Sequence, residues 1–165
     1  MKAAGVPGLV SERPSTFHTP EEQSHIETVV AFLGLPNSAD RSAYVTDDYR
    51  NNRPGMQNLC ELAGIPDAGP GPHVGYNEES FVDRRNEIVD VIASGTVVWV
   101  MFRLVGTHTG PFWGIPATGN PLDLYELGVF RLNGRLIAET WFMNDELAIC
   151  RQLGIPVPVS DVSSE

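Results

Sequence analysis

The stretch from Val97 to Val105 constrains the fold most, because it is apolar at every position except Arg103. An antiparallel strand with one face in water alternates apolar and polar residues, and this stretch does not. We therefore expect both of its faces to be covered, one by helices of the same chain and the other by a second copy of the protein. A strand buried wholly within its own subunit fits the same pattern, so both alternatives stay open.

Turn signals divide the second half of the chain into strands. Asn133-Gly134 is a strong signal for a two-residue hairpin, whereas Ser94-Gly95 leaves the turn type open. Helical signals come before these strands, so the order predicts an α+β fold with an antiparallel meander. The predicted strands are 87–93, 96–107, 122–132 and 135–144.

The first half of the chain has a clear helix start at Thr19-Pro20-Glu21-Glu22. Thr19 can cap the helix, proline suits its first position, and Glu22 completes a capping box. One helical face then carries apolar residues, namely Ile26, Val29, Val30 and Leu33. We also predict helices over 39–45, 55–63, 78–85 and 145–153, an extended segment over 49–54, and a Gly- and Pro-rich loop over 64–76 that acts as a lid or pocket rim.

Composition excludes several classes of function. The formal net charge of −10 disfavours a nucleic-acid partner, and Lys2 as the only lysine excludes Schiff-base chemistry at a buried lysine. No apolar run is long enough to span a membrane. Two distant cysteines predict reduced thiols and a cytoplasmic protein. No motif for a nucleotide cofactor or a metal is present, so we expect no cofactor.

The length suits one domain, which we place at residues 19–155. Residues 1–18 are predicted to be a flexible arm and residues 156–165 a tail.

The C-terminal part carries a series of short sequence features, namely Gly106-Thr107-His108-Thr109-Gly110, Gly114-Ile115-Pro116-Ala117-Thr118-Gly119, Phe130-Arg131 before the Asn-Gly turn, Trp141 with Asp145 four residues on, and Arg151-Gln152-Leu153-Gly154. Asp47-Asp48-Tyr49 is followed by two asparagines, and together these features cover roughly two-thirds of the chain. In these features the chain resembles the SnoaL-like polyketide cyclase family of the NTF2-like superfamily.

The resemblance implies a cone-shaped α+β barrel, in which a bent antiparallel sheet wraps a pocket closed by the N-terminal helices. It also implies an acid/base enzyme without a cofactor, since the family includes aldol cyclases that act on polyketides. Related proteins are lyases, dehydratases and isomerases, and others only bind ligands, so the fold alone does not decide the reaction.

Three residues are candidates for catalysis. The resemblance makes Asp145 a general acid/base, although aspartate is also a favoured helix cap and Asp145 directly precedes a predicted helix. Glu126 lies within a predicted strand, where glutamate is uncommon, and period two groups it with Leu124, Gly128 and Phe130. It points either into the pocket or into solvent or an interface. His73 belongs to the predicted lid.

Further candidates are proposed to bind the substrate. Either Asn51 or Asn52 faces the pocket, and one step of strand register decides which. Arg103 either pairs with Asp90 across the hairpin or clamps an anion, and His108 either shapes its turn or takes part in the chemistry. The remaining substrate-binding candidates are Tyr49, Tyr76, Trp113 and Trp141.

These observations predict a homodimer or higher oligomer that acts on a small oxygenated, aromatic or polyketide-like molecule in an apolar pocket. The reaction class is a cyclase, lyase, dehydratase or isomerase. The alternative is a non-catalytic module that binds a small molecule.

Overall fold

A computed structural model describes residues 17–36, 39–63, 79–112, 115–154 and 156. The described part is a mixed α+β fold with one five-stranded sheet. Its elements are helices α1 (Pro20–Gly34), α2 (Pro54–Ala63) and α3 (Glu146–Leu153), and strands β1 (Val45–Asn52), β2 (Phe81–Ser94), β3 (Val97–His108), β4 (Pro121–Asn133) and β5 (Leu136–Asn144).

The sheet has the strand order β1-β5-β4-β3-β2. Strands β2 to β5 form the predicted antiparallel meander, and β1 lies parallel to β5 at one edge. Gly95 and Gly134 adopt positive φ of 58° in the two hairpin turns, a conformation that glycine accepts without strain. The α+β fold class and the meander are therefore confirmed.

The N-terminal capping box of α1 is present as predicted. The Thr19 Oγ1 accepts a hydrogen bond from the Glu22 amide at 3.2 Å, and a Glu22 carboxylate oxygen accepts one from the Thr19 amide at 2.9 Å. The buried face of α1 includes Ile26, Val29 and Leu33, but Val30 points to solvent.

Two apolar clusters cover one face of the sheet, which we call the inner face. The first lies under α1 and includes Val29, Val98, Val100 and Phe130. The second lies under α2 and α3 and consists of Met56, Cys60, Phe81, Leu104, Phe112, Leu122, Leu124, Ile149 and Leu153. Helices therefore pack over both ends of the inner face, and the strip of sheet between the clusters is where a site can form.

Two predicted helices differ from the structure. The predicted helix over 78–85 is wrong where the structure describes it, because residues 81–85 belong to β2. Backbone pairing with β3 outweighs local preference there, since Phe81 pairs with His108 at the far end of that strand. The predicted helix over 39–45 is reduced to one 3-10 turn at Ser42–Tyr44.

The opposite, outer face of the sheet is largely uncovered in the single chain. Trp99 on β3 and Trp141 on β5 are 46% and 45% exposed. Each lies directly opposite Val129 on β4, the strand between them. Within the described residues, no helix is both long and apolar enough to cross a bilayer.

Candidate functional site

Glu126 lies on the inner face of β4, in the strip between the two apolar clusters. Its neighbours in register are Phe102 on β3 and Asn144 on β5. The residue is only 8% exposed. Burial raises the pKa of Glu126 to about 8, the charge of Glu146 raises it further, and the charges of Arg84 and Arg53 oppose the shift. Period two in the sequence had grouped Glu126 with residues of this face, and the structure places it there.

The carboxyl of Glu126 has no bonded partner in the described part of the chain, where neither a hydrogen bond nor an ion pair reaches it. Buried carboxyl groups that serve only the fold are normally hydrogen-bonded or paired, because an unsatisfied polar group in the interior costs free energy. A carboxyl that keeps its proton near neutral pH and lacks a partner suits proton exchange with a ligand.

Aromatic rings line the sheet beside Glu126. Phe142 packs edge-to-face against Phe102 at 6.4 Å and against Phe130 at 5.5 Å between ring centroids. Gly128, two residues from Glu126 on the same face, makes this packing possible. A Cβ at Gly128 would come within 2.7 Å of the Phe130 ring and 3.2 Å of the Phe142 ring. The wall next to the carboxyl is therefore apolar and closely packed.

Arg84 reaches the inner face through a β-bulge in β2. Val82 pairs with Thr107 and Arg85 with Val105, so two residues stand opposite the single Gly106. One of the two, Asp83, adopts a φ of 56°, which is uncommon for a residue with a side chain. Bulges of this kind re-aim side chains. Here the bulge turns Arg84 inward, where its charge acts on Glu126.

A short hydrogen-bond chain holds the guanidinium of Arg84 against the helix layer. Arg84 Nη2 donates to the Asn86 Oδ1 at 3.4 Å, and Asn86 Nδ2 donates to the Leu33 carbonyl of α1 at 2.9 Å. The second bond fixes which way the Asn86 amide points, so its oxygen faces the arginine.

Arg53 supplies a second positive charge near Glu126. It follows β1 directly, is 7% exposed, and its carbonyl accepts the first backbone bond of α2 from the Gln57 amide at 2.9 Å. The carboxylate of Glu146 packs against Gly55 in the first turn of α2, where a Cβ would overlap it. Burial raises the pKa of Glu146, and the neighbouring charge of Asp145 adds to this.

A row of polar groups on β1 and β5 continues the inner face. The Tyr49 hydroxyl lies 2.6 Å from the Thr140 Oγ1, which donates to the Asn51 Oδ1 at 3.1 Å. Because the single Thr140 proton goes to Asn51, the Tyr49 hydroxyl donates to Thr140. Burial raises the pKa of Tyr49 to about 12, so its proton stays in place. The chain therefore fixes the orientation of the Asn51 carboxamide.

The structure also decides between the two asparagines. Asn51 is 5% exposed and pairs in register with Thr140 on the inner face. Asn52 points the other way, and its Nδ2 donates to the Thr140 carbonyl at 2.9 Å. Of the two, Asn51 is the residue on the inner face.

Asp145 is exposed and caps helix α3. Its Oδ1 accepts a hydrogen bond from the Ala148 amide at 2.9 Å. The helix-cap alternative is therefore realised in this structure. A catalytic role for Asp145 stays a prediction.

His108 is fully buried at the end of β3. Its ring stacks on Phe81 at 5.2 Å, and its Nδ1 accepts a hydrogen bond from the Thr118 amide at 3.4 Å and lies 3.0 Å from the Thr118 Oγ1. Its backbone also bonds to Gly119 and Asn120. These contacts fit the role of shaping the turn. Among the described residues its Nε2 has no hydrogen-bond partner.

Two predicted binding residues lie on the outer face, away from Glu126. Arg103 is bound by Asp123 through two contacts of 2.6 Å and by Glu87 at 3.2 Å, and this pairing lowers the pKa of Asp123. The predicted pairing of Arg103 with Asp90 is wrong. The register between β2 and β3 shifts a second time between Ile88 and Asp90, which places Asp90 opposite Met101. Trp141 is an outer-face residue as well, since it alternates with the inward Thr140 and Phe142.

Three predicted site residues lie outside the described residues, namely His73, Tyr76 and Trp113. In turn, sequence reasoning missed Arg53, Arg84, Thr140 and Glu146. Arg53 could have been predicted as an inner-face residue, because period two groups it with Tyr49 and Asn51. Arg84 could not, since a β-bulge cannot be recognised reliably from one sequence.

Comparison with known proteins gives one family and one fold. A family model for SnoaL-like polyketide cyclases matches residues 27–153. No curated protein sequence matches the chain.

Three solved structures are similar at low identity, which bears on the fold alone. A protein from Jannaschia sp. CCS1, assigned as a SnoaL-like polyketide cyclase, is 23% identical with a TM-score of 0.67 over 85% of this chain and 98% of its own. IdmH from Streptomyces antibioticus, assigned as a polyketide cyclase, is 24% identical with a TM-score of 0.61 over 79% and 98%. A phenazine biosynthesis-related protein from Pseudomonas aeruginosa is 19% identical with a TM-score of 0.64 over 87% and 94%.

Proposed function

Because the chain belongs to the SnoaL-like polyketide cyclase family, we propose that it is a cofactor-independent enzyme that moves protons on a small oxygenated molecule. The molecule is aromatic or polyketide-like and binds on the inner face. Glu126 is the general acid/base of this proposal. The observation that carries it is a carboxyl buried on the inner face, without a bonded partner in the described chain, whose pKa is raised to about 8.

The geometry supports a two-step proton transfer. Ionised Glu126 takes a proton from carbon next to a carbonyl, and the electrons of the broken C–H bond pass into an enolate. In a cyclisation the enolate carbon then forms a bond to a second carbonyl of the same molecule. Glu126 returns its proton to the new alkoxide. Elimination or isomerisation would use the same carboxyl with a different fate for the enolate.

Other inner-face groups orient the substrate in this proposal. The Asn51 carboxamide, held by Thr140 and Tyr49, binds a substrate oxygen, and the rings of Phe102 and Phe142 contact its apolar part. Such positioning lowers the entropy cost of reaching the transition state.

The test is exchange of the α protons of 1-tetralone for deuterium, followed by proton NMR. We expect the wild type to accelerate exchange and Glu126→Gln to lower the rate by about 10²-fold or more. Below a pH of about 8 the wild-type rate should rise with pH, because the ionised fraction of Glu126 grows, and above it the rate should level off.

Two further variants separate the alternatives. Asp145→Asn keeps a good helix cap and is expected to keep the activity. Glu27→Gln changes an exposed carboxyl of α1 and serves as the matched control. Loss of exchange only in Asp145→Asn would move the role to Asp145. A wild type that binds the ketone without accelerating exchange would instead favour the non-catalytic binding module.

A further inference from the structure

His25 joins helix α1 to both hairpin turns of the sheet. Its Nδ1 lies 2.9 Å from the Gly95 carbonyl oxygen, in the turn between β2 and β3. Its Nε2 lies 3.1 Å from the Gly134 carbonyl oxygen, in the turn between β4 and β5. The residue is only 3% exposed. One buried side chain of the helix therefore contacts two turns that are distant from it in the chain.

The two contacts determine how many protons the ring must carry. A carbonyl oxygen only accepts hydrogen bonds, so each ring nitrogen has to donate to make its bond. A neutral imidazole has one N–H group, whereas the imidazolium ion has two. Turning the ring over would place carbon atoms beside both oxygens, so a flipped ring does not replace the second donor. Both bonds of His25 therefore require the positively charged ring.

Charged side chains of both signs lie on the elements that pack around His25. Glu21 and Glu22 belong to the first turn of α1, and the Glu22 Oε1 accepts a hydrogen bond from the Gly95 amide at 2.8 Å. Side chains three or four residues apart are neighbours on a helix, and a neighbouring carboxylate favours the charged ring. Arg135, in the turn between β4 and β5, is positive and bonds to a serine of α1 at 3.1 Å.

The two bonds of His25 hold the helix that covers one end of the inner face. Phe32, two turns after His25, is buried against the sheet. It packs edge-to-face against Phe130 with 6.1 Å between ring centroids, and Phe130 packs in the same way against Phe142 at 5.5 Å. The position of α1 therefore affects the apolar wall beside Glu126.

We propose that His25 is a proton-dependent clasp that holds α1 closed over the inner face. With both nitrogens protonated, the ring binds both turns. When one proton leaves, the lone pair of that nitrogen faces a carbonyl oxygen, and two acceptors replace a charged hydrogen bond. The helix then loosens, so the inner face becomes more accessible as pH rises. This inference is independent of the reaction proposed for Glu126, because it needs only the fold and these contacts.

Nitrogen NMR of the histidine rings tests the protonation state in the wild-type chain. The ring of His25 is identified by its contacts with Gly95 and Gly134. Spectra are recorded from about pH 5 upward, where histidine side chains usually change charge, until this ring loses a proton. We expect both nitrogens to carry protons at the acid end. A ring with a single N–H group there would overturn the proposal.

Amide hydrogen exchange tests whether this proton is coupled to the closure of α1. The protection of the Val29 amide in α1 is divided by that of the Val100 amide in β3, so that changes in global stability cancel. We expect the ratio to fall about tenfold or more as His25 loses its proton, as the loss of one charged hydrogen bond predicts. A ratio that stays constant through that transition would overturn the proposal.

His18 provides a matched control with the opposite proton requirement. It lies just before α1, and its Nε2 accepts a hydrogen bond from the Ala93 amide at 3.2 Å, which needs an unprotonated nitrogen. His25→Gln should show a low ratio that no longer falls with rising pH, whereas His18→Gln should keep the fall. A fall that survives in folded His25→Gln would overturn the proposal. The two measurements on the wild type decide the question even if a variant fails to fold.

Discussion

The buried carboxyl of Glu126 makes the stability of the fold depend on pH. Its pKa is about 8 in the folded protein, against an ordinary value of 4.5. Between these values the folded state holds a proton that the unfolded state has released, so raising the pH favours unfolding. The contribution of the neutral group is fully present below about pH 4.5 and is lost as pH rises toward 8.

This linkage gives a prediction for Glu126→Gln. The free energy of unfolding of the wild type, relative to the variant, should fall by an amount on the order of a few kcal/mol between about pH 5 and about pH 8. Urea denaturation at several pH values measures it. Glu27→Gln, at an exposed site, should follow the wild type throughout. If the free energy of unfolding depends on pH in the same way for the wild type and for Glu126→Gln, the result would contradict a buried, protonated Glu126.

At the scale of single residues, the sequence predicted those positions that strand periodicity controls. Glu126 was grouped correctly with Leu124, Gly128 and Phe130 because β4 keeps a regular alternation over its length, but the sequence left open whether that face is covered. Asn51 and Asn52 could not be separated, since the parallel pairing of β1 with β5 sets their orientation and involves residues far apart in the chain. Thr140 was missed because its role depends on that same pairing.

The bulge in β2 is the element on which the position of Arg84 depends. Glycine accepts a positive φ without cost, while a β-branched residue is strained there. We expect Asp83→Gly to be close to neutral for stability and Asp83→Val to lower it by about 1–3 kcal/mol. Thermal unfolding measures both changes.

Elements were predictable where a local signal marks their ends. The capping box located α1, and Asn133-Gly134 located the hairpin between β4 and β5. Local signals failed at residues 81–85, which were expected to be helical. That segment is a strand because β3 continues to His108 and offers its backbone groups to a partner. Long-range pairing of this kind overrides local propensity.

The outer face of the sheet is a feature of the whole molecule. Trp99, Val129 and Trp141 stand in register on three neighbouring strands, and Tyr125 and Met143 are 40% and 62% exposed on the same face. The ionic groups on this face include internal pairs, among them Arg103 with Asp123 and Arg131 with Glu139. A broad apolar face of this kind is typical of a protein interface.

We expect this face to bind a second copy of the chain. Sedimentation analysis should show a dimer for the wild type, and Trp99→Glu with Trp141→Glu should produce a monomer, because each charge would be buried without a partner. Leu147→Glu is the matched control, since Leu147 is 66% exposed on α3, away from the sheet. A wild type that stays monomeric, or a double variant that stays dimeric, would contradict the interface.

The position of β1 has a consequence for the order of events during synthesis. Strands β2 to β5 each pair with the next strand in the chain, through two-residue turns or, between β3 and β4, a twelve-residue connection. Strand β1 instead pairs with β5, about ninety residues later. The hydrogen bonds that join Tyr49, Thr140 and Asn51 can therefore form only after β5 has left the ribosome. The same holds for the position of Arg53, which directly follows β1. A nascent chain stopped before Leu136 has strands β2 to β4 of the meander but only part of the inner face.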